Sequence, residues 1–173
     1  MPRKQDEIQH MKRVQAIYRH PVFQECLKKN SEAEKTRIFC RHDMVHFMDV
    51  ARLSYIFSME RGYKVAKEEI YAAALLHDIG KWQQYADGTP HEQASARIAE
   101  EILAEAGYTK EETERILAAI LEHRGNREGE SSKGMMLAEL LYDADKTSRA
   151  CYACPAEKEC NWSMEKKNMD IIW

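Results

Sequence analysis

Along most of the chain, apolar residues recur at three- and four-residue intervals, the repeat of a helix with one face turned to a core. Ile8, Met11, Val14, Tyr18 and Val22 keep this spacing up to Pro21, which bends or ends a first helix. Ser31 and Glu34 read as a capping box opening a short second helix. Val45, Met48, Ala51, Leu53, Ile56 and Phe57 mark the apolar side of a long helix that stops near Gly62. From about Ala66 to Lys81 the pattern predicts another helix, almost wholly apolar between Ile70 and Leu76, which places it at the domain centre. Thr89, Pro90 and Glu92 supply an N-cap, a first-turn proline and a capping-box partner for a helix carrying Ala96, Ile98, Ala99, Ile102 and Leu103 to Gly107. Thr109 and Glu112 repeat the device ahead of Ile116, Ile120 and Leu121. Residues 125–134 read as a surface loop, and Met135 to Ser148 as a last core helix.

The sum is an all-α bundle of about seven helices without a credible strand. Composition agrees: 173 residues contain only 7 Gly and 4 Pro, and 44 % are hydrophobic. That length suits one domain over 1–173, closing on a short cysteine-bearing tail at about 150–173. A net charge of −3 offers no electrostatic case for a nucleic-acid polymer, and the basic start (Arg3, Lys4, Lys12, Arg13, Arg19) alternates with apolar residues as a solvated helix face would. No apolar run is long enough to span a bilayer and no signal-peptide core is visible, so a cytoplasmic protein without a membrane partner is expected. Its 5 Cys are then expected to be reduced thiols or metal ligands.

Chemistry enters with the histidines. His77 and Asp78 end the most apolar helix, where an ionised carboxylate is costly unless a cation or hydrogen bonds compensate. A His-Asp pair is weak evidence alone, since His42-Asp43 is a second one. Its setting is stronger: His46 lies on the preceding long helix, and Asp145 lies near the end of the last one, within Asp143-Ala144-Asp145-Lys146. Nitrogen and oxygen ligands from three helices suit a divalent transition metal with positions left for water and substrate.

These residues, in the stretches His46-Phe-Met-Asp-Val-Ala, Ala-Ala-Leu-Leu-His77-Asp78-Ile-Gly-Lys and Tyr-Asp-Ala-Asp145-Lys, resemble the HD superfamily of metal-dependent phosphohydrolases across about residues 40–150. The resemblance implies an HD-domain bundle whose His46, His77 and Asp145 hold one metal. In two-metal branches, histidines placed as His91 and His123 hold a second ion, with Asp78 between the two. Within the superfamily the chain looks most like the bacterial HD-type hydrolases of symmetrical diadenosine tetraphosphate, departing from them at Arg124 and in the cysteine tail.

The expected reaction is hydrolysis of a nucleotide, dinucleoside polyphosphate or related small phosphoester by metal-activated water, with Asp78 and Lys81 catalytic and Lys81, Lys146 and Arg149 on substrate phosphate. One or two ions of Fe, Mn or Co are expected, with Mg or Zn also admissible. Alternatives are a di-iron oxygenase with the same ligands, or a non-catalytic metal or nucleotide sensor. Each residue also has a plainer reading. Lys81, Lys146 and Arg149 are expected at helix C-termini, where the dipole favours a cation anyway, and His91 and His123 stand at helix ends that attract histidine. His42 reads as a paired ligand, as a residue backing the ligands or facing substrate, or as exposed, and His10 and His20 as solvent-facing. Met44, Met48, Met135 and Met136 read as core filler. Finally, Cys151-x2-Cys154-x5-Cys160, beside Trp162, resembles part of a Zn or iron–sulfur site, with Cys26 and Cys40 as sequence-remote candidates for a fourth ligand.

Overall fold

In a computed structural model of the chain, residues 11–123 and 133–171 are described. The expected helix start at Ile8, the side chains of Arg3, Lys4, His10 and Arg124, and most of the 125–134 loop lie outside them. Among the described residues there are eight α-helices: α1 (Lys12–Arg19), α2 (Pro21–Ala33), α3 (Met44–Glu60), α4 (Lys67–Leu76), α5 (Lys81–Asp87), α6 (His91–Glu105), α7 (Lys110–Glu122) and α8 (Lys133–Thr147), followed by a 3-10 turn at Cys151–Ala153. No strand occurs among them, so the all-α expectation holds.

The organising element is α4. Ile70 to Leu76 are buried without exception, and the helix touches α1, α3, α6, α7 and α8. A helix apolar all round needs neighbours on every side, and here it has them. The core around it draws Phe23 from α2, Phe47, Val50 and Phe57 from α3, Ile102 and Leu103 from α6, Ile116 and Ile120 from α7, and Leu137, Leu140 and Leu141 from α8. Ion pairs bind the rim: Arg13 bridges Glu68 and Glu112 (2.7 Å each), Arg115 grips Glu69 through two nitrogens at 2.9 Å, and Arg61 pairs with Glu139 and Asp143.

Several local expectations change. Ser31 is inside α2 rather than ahead of a new helix. The α2 N-cap is His20, whose Nδ1 accepts from the Val22 N–H at 3.2 Å, with Pro21 supplying the first turn; His20 is therefore tied to the fold and also to Glu105, not merely solvent-facing. The helix drawn from 66 to 81 breaks after Leu76. His77–Gly80 form a turn, because Gly80 lets the α6 backbone approach so closely that a Cβ there would stand 2.5 Å from the Ser95 nitrogen. The chain then restarts as α5, which accounts for the additional helix. Thr89 does not cap α6; Pro90 is its N-cap and no side chain assists. Val45, 70 % exposed, faces away from the core because α3 turns His46 and Phe47 inward instead. The capping box at Thr109 and Glu112 is present as expected, with Thr109 Oγ1 accepting from Glu112 N–H and the Glu112 carboxylate accepting in return. Met44 and Met48 pack against the core, whereas Met135 and Met136 stay partly exposed.

The tail is not loose. Asn168 Nδ2 donates to the carbonyls of Lys146 (2.7 Å) and Arg149 (2.9 Å), satisfying oxygens that the end of α8 leaves unpaired, and the Tyr152 N–H donates to Asn168 O. Lys167 Nζ donates to the carbonyl and carboxylate of Glu157. The segment after α8 thus folds back over the end of the bundle where α4 breaks.

Candidate metal centre

The break after Leu76 leaves His77 as the C-cap of α4 and Asp78 as the second residue of the turn, both nearly sealed from solvent. Asn30, fully buried on α2, fixes this turn: its Nδ2 donates to the Asp78 carbonyl (2.9 Å), and its Oδ1 accepts the Trp82 N–H (2.8 Å). Gly80 N–H donates to Ser95 Oγ, fastening the same turn to α6. His46 comes from the first turn of α3 and Asp145 from the last turn of α8. His91 opens α6 and His123 caps the end of α7.

These six side chains, all buried, form two groups that share Asp78. One ligand atom each from His46, His77, Asp78 and Asp145 lies within 4.8 Å of all the others, and the same is true of Asp78, His91 and His123. The sharing is resolved by oxygen. Asp78 Oδ2 is 3.2 Å from His77 Nε2 and 4.0 Å from His46 Nε2, while Asp78 Oδ1 is 3.1 Å from His91 Nε2 and 3.8 Å from His123 Nε2. Asp145 Oδ1 completes the first group at 3.3 Å from His46 Nε2 and 3.8 Å from His77 Nε2.

The hydrogen bonds at the far side of each ring say which atom faces inward. His77 Nδ1 donates to the Ala74 carbonyl (2.7 Å) and His123 Nδ1 to the Ile120 carbonyl (2.5 Å). His91 Nδ1 lies 2.7 Å from Gln84 Oε1, and His46 Nδ1 lies 3.3 Å from the Ser148 hydroxyl, which itself donates to the Asp145 carbonyl. In this tautomer pattern, assigned from the partners, the Nε2 of each neutral ring turns a lone pair toward the carboxylates. The His91 and His123 Nε2 atoms stand only 3.3 Å apart. Lone pairs meeting lone pairs and carboxylate oxygens are repulsive unless a cation lies among them, and imidazoles anchored through the opposite nitrogen are the usual form of a metal ligand. His77 Nε2, Asp78 Oδ1 and Asp145 Oδ1 are accordingly buried without a hydrogen-bond partner. The donor set fits one or two divalent ions.

Protonation tells the same story. Burial works against the charged form of His77, but the carboxylates of Asp78 and Asp145 outweigh it and lift the ring to about 10. Burial likewise opposes ionisation of both carboxylates, and the surrounding imidazoles hold them well below their ordinary range. Burial pushes His46 down to about 4 against its contact with Asp145, with the charges of Arg149 and His77 adding to the shift; burial also lowers His123. One proton on His77 thus does part of the work that a divalent ion would do fully.

The expected substrate cations converge on the same place. Lys81, Lys146 and Arg149 line a cavity of about 480 Å³ together with His42, Asp78, His91, His123 and Asp145. Lys146 Nζ is 2.9 Å from Asp145 Oδ2, and Arg149 Nη2 is 3.1 Å from His46 Nε2. Lys81 is not at the expected helix C-terminus but at the first residue of α5, where the dipole disfavours a cation. Its Nζ donates to Gln84 Oε1 at 3.2 Å, which holds it there beside the His91 ring.

Sequence reasoning missed the partners behind His42. Glu34, 2 % exposed, accepts from the His42 N–H (2.8 Å) and from its ring Nδ1, while Tyr85 donates to the same carboxylate at 2.7 Å. Burial raises the Glu34 pKa, but His42 and Tyr85 more than reverse this and bring it down to about 2. His42 itself is buried, with Nε2 3.7 Å from Asp78 Oδ2. Arg37 was missed as well; it lines the cavity from the loop between α2 and α3. No periodicity marks that loop.

The family model for the HD domain matches residues 44–161, two thirds of the chain and every member of both groups. The chain belongs to the HD domain family. A protein of Clostridium beijerinckii described as uncharacterized is 46 % identical over 147 residues, covering 85 % of this chain and 90 % of its own. The crystal structure of a predicted HD superfamily hydrolase from an uncultured Thermotogales bacterium aligns with a TM-score of 0.59 at 23 % identity, over 86 % of this chain and 83 % of that one. At that identity the likeness speaks for the HD fold. Among the described residues of this HD protein, no helix is long and apolar enough to cross a membrane.

Proposed function

We propose that this HD protein is a metal-dependent phosphohydrolase that cleaves a phosphoester or phosphoanhydride bond of a small substrate such as a nucleotide or dinucleoside polyphosphate. The observation that carries the reading is the pairing, in one cavity, of convergent buried acceptors with the cationic side chains of Arg37, Lys81, Lys146 and Arg149. The cavity volume falls in the range of small-molecule sites. The name of the Thermotogales protein, a predicted hydrolase, points the same way.

His46, His77, Asp78 and Asp145 would hold one ion, and Asp78, His91 and His123 the second; Fe, Mn and Co suit the donors, with Mg and Zn admissible. Bound there, the ions supply Lewis acidity and lower the pKa of coordinated water enough to give a nucleophile at neutral pH. The chain's own part is positioning. Lys81, on the His91 side, and Lys146 and Arg149, on the Asp145 side, flank the cavity so that phosphate oxygens entering between them meet charge from both directions. Arg149 rests on His46 Nε2 and Asp145, and is placed to exchange those contacts for a phosphate.

Phosphate release from nucleotides and dinucleoside polyphosphates, by protein loaded anaerobically with Mn, Fe or Co, tests this. Turnover by wild type that is lost in Asp78→Ala supports it. Absence of turnover with every metal, or an undiminished Asp78→Ala variant, rejects it. Substrate-dependent consumption of O₂ would instead favour the oxygenase reading.

A further inference from the structure

The cavity that holds the His/Asp groups is also lined by sulfur. Cys40, Cys151, Cys154 and Cys160 all line it, and none is in a disulfide. Only three of these are near in sequence; Cys40 comes from the loop before α3, more than a hundred residues away. The fold brings it there by specific bonds. Arg149 Nη1 donates to the Arg41 carbonyl (3.2 Å) and Arg37 Nε to the Cys40 carbonyl (2.9 Å), tying that loop to the start of the tail two residues before Cys151. Cys26, the remaining cysteine, is buried on α2 and does not line the cavity.

Four thiols lining one cavity need a reason, because reduced cysteines packing a tail have no cause to meet one from a distant loop. The four thiols share the cavity with cationic side chains. Arg37, Lys146, Arg149 and Lys167 line the cavity with them, beside the shielding rings of Phe39 and Trp162. Lys167 is held above its ordinary pKa by its hydrogen bond to Glu157, against burial, and the charges of Glu157, Cys160 and Cys151 add to the shift. The sulfurs are not gathered as closely as a single zinc requires. Thiolates sharing one tetrahedral zinc stand about 3.8 Å apart. Among the described residues, no three of these sulfurs lie within 4.8 Å of one another. Ligands more widely spread suit a polynuclear centre, in which each thiolate binds a different iron.

We propose that Cys40, Cys151, Cys154 and Cys160 together bind an iron–sulfur cluster that closes the cavity facing the His/Asp groups. All four positions are filled by protein, so the cluster holds the tail and the 37–42 loop against each other over the site. Burial of apolar side chains does little of this work, since Ile38, Tyr152 and Met164 are left exposed.

The test is protein purified without oxygen, and protein reconstituted anaerobically with ferrous iron and sulfide. Acid-labile sulfide per chain is the main readout, since iron in the His/Asp groups contributes none; a visible thiolate-to-iron absorption band is the second. Both are expected in wild type and in Asp145→Asn, and both are expected to fall about tenfold or more in Cys40→Ser and in Cys154→Ser. Should the serine variants fail to fold, alkylation of native wild type decides: the cluster-loaded protein should protect all four cavity thiols and expose them after bleaching with chelator. Zinc without sulfide, no sulfide at all, sulfide retained in Cys40→Ser, or a freely alkylated Cys40 in loaded protein would each overturn the assignment.

Discussion

Glu34 holds His42 at two points, through the backbone N–H and through ring Nδ1, and so fixes an imidazole whose other nitrogen looks at Asp78 from 3.7 Å. The carboxylate is nearly sealed from solvent and stays ionised down to about pH 2, so it acts as a permanent negative anchor. Glu34→Gln keeps the volume but removes the charge. Hydrolysis is expected to slow about tenfold in kcat with KM little changed, the usual cost of losing a partner that orients a site imidazole. Equal losses for Glu34→Gln and for a distant destabilising variant would show that Glu34 matters only to folding.

The second prediction concerns the shared carboxylate. His91→Ala and His123→Ala should lower the metal content of protein loaded with manganese from about two ions per chain to about one, while His46→Ala and Asp145→Asn should strip the other position. Elemental analysis after desalting reads the ratio. A wild-type chain that holds one ion, unchanged in His91→Ala, would remove those two histidines from the site.

Protonation of the metal-free protein gives the third. His77 is raised from 6.5 to about 10, so its stabilising contribution is complete below about pH 6.5 and fades as pH climbs toward 10. His46 and His123 are lowered by burial, so the unfolded chain takes up protons first and stability falls as pH drops below 6.5. Asp78, Asp145 and Glu34, all depressed, add to the loss on the acid side. Denaturation of chelated protein should therefore show greatest stability near pH 6.5. Metal uptake at pH 7.5 should release about one proton, seen by calorimetry in buffers of different ionisation enthalpy. Metal-free protein equally stable at pH 6.5 and pH 9 would contradict the role given to His77.

Gly80 supports the fourth. A methyl group there would meet the backbone of Ala94 and Ser95 at 2.7 and 2.5 Å, and backbone cannot move aside as a side chain can. Gly80→Ala is expected to cost about 1–3 kcal/mol by overpacking. By tilting the start of α6 it should also weaken the ion near His91 more than the ion near His46. Chemical denaturation and metal titration measure the two effects separately, and a neutral variant would show that α6 is not so closely seated.

The candidate ligands were legible because they stand at places the helical pattern marks. His77 and Asp78 follow the most apolar run, His91 and His123 sit at helix ends, and Asp145 ends the last periodic segment. What escaped the pattern was contact between segments that carry no period. Glu34 looked like a capping partner because its spacing from Ser31 is right, yet α2 begins at Pro21 and runs through Ser31. The break after Leu76 was hidden because the residues on both sides favour helix, and only the close approach of α6 to Gly80 interrupts it. Cys40 could not be joined to the cysteine tail by spacing, since a carbonyl–guanidinium bond from Arg149 makes that neighbourhood.

One carboxylate leans both ways at the centre of this molecule. Since Asp78 lends one oxygen to each set of imidazoles, a charge arriving on one side withdraws electron density from the side still waiting. Loading should then proceed in unequal steps, a tight one followed by a weaker one, so scarcity of metal would leave a half-furnished protein in place of a mixture of full and bare chains.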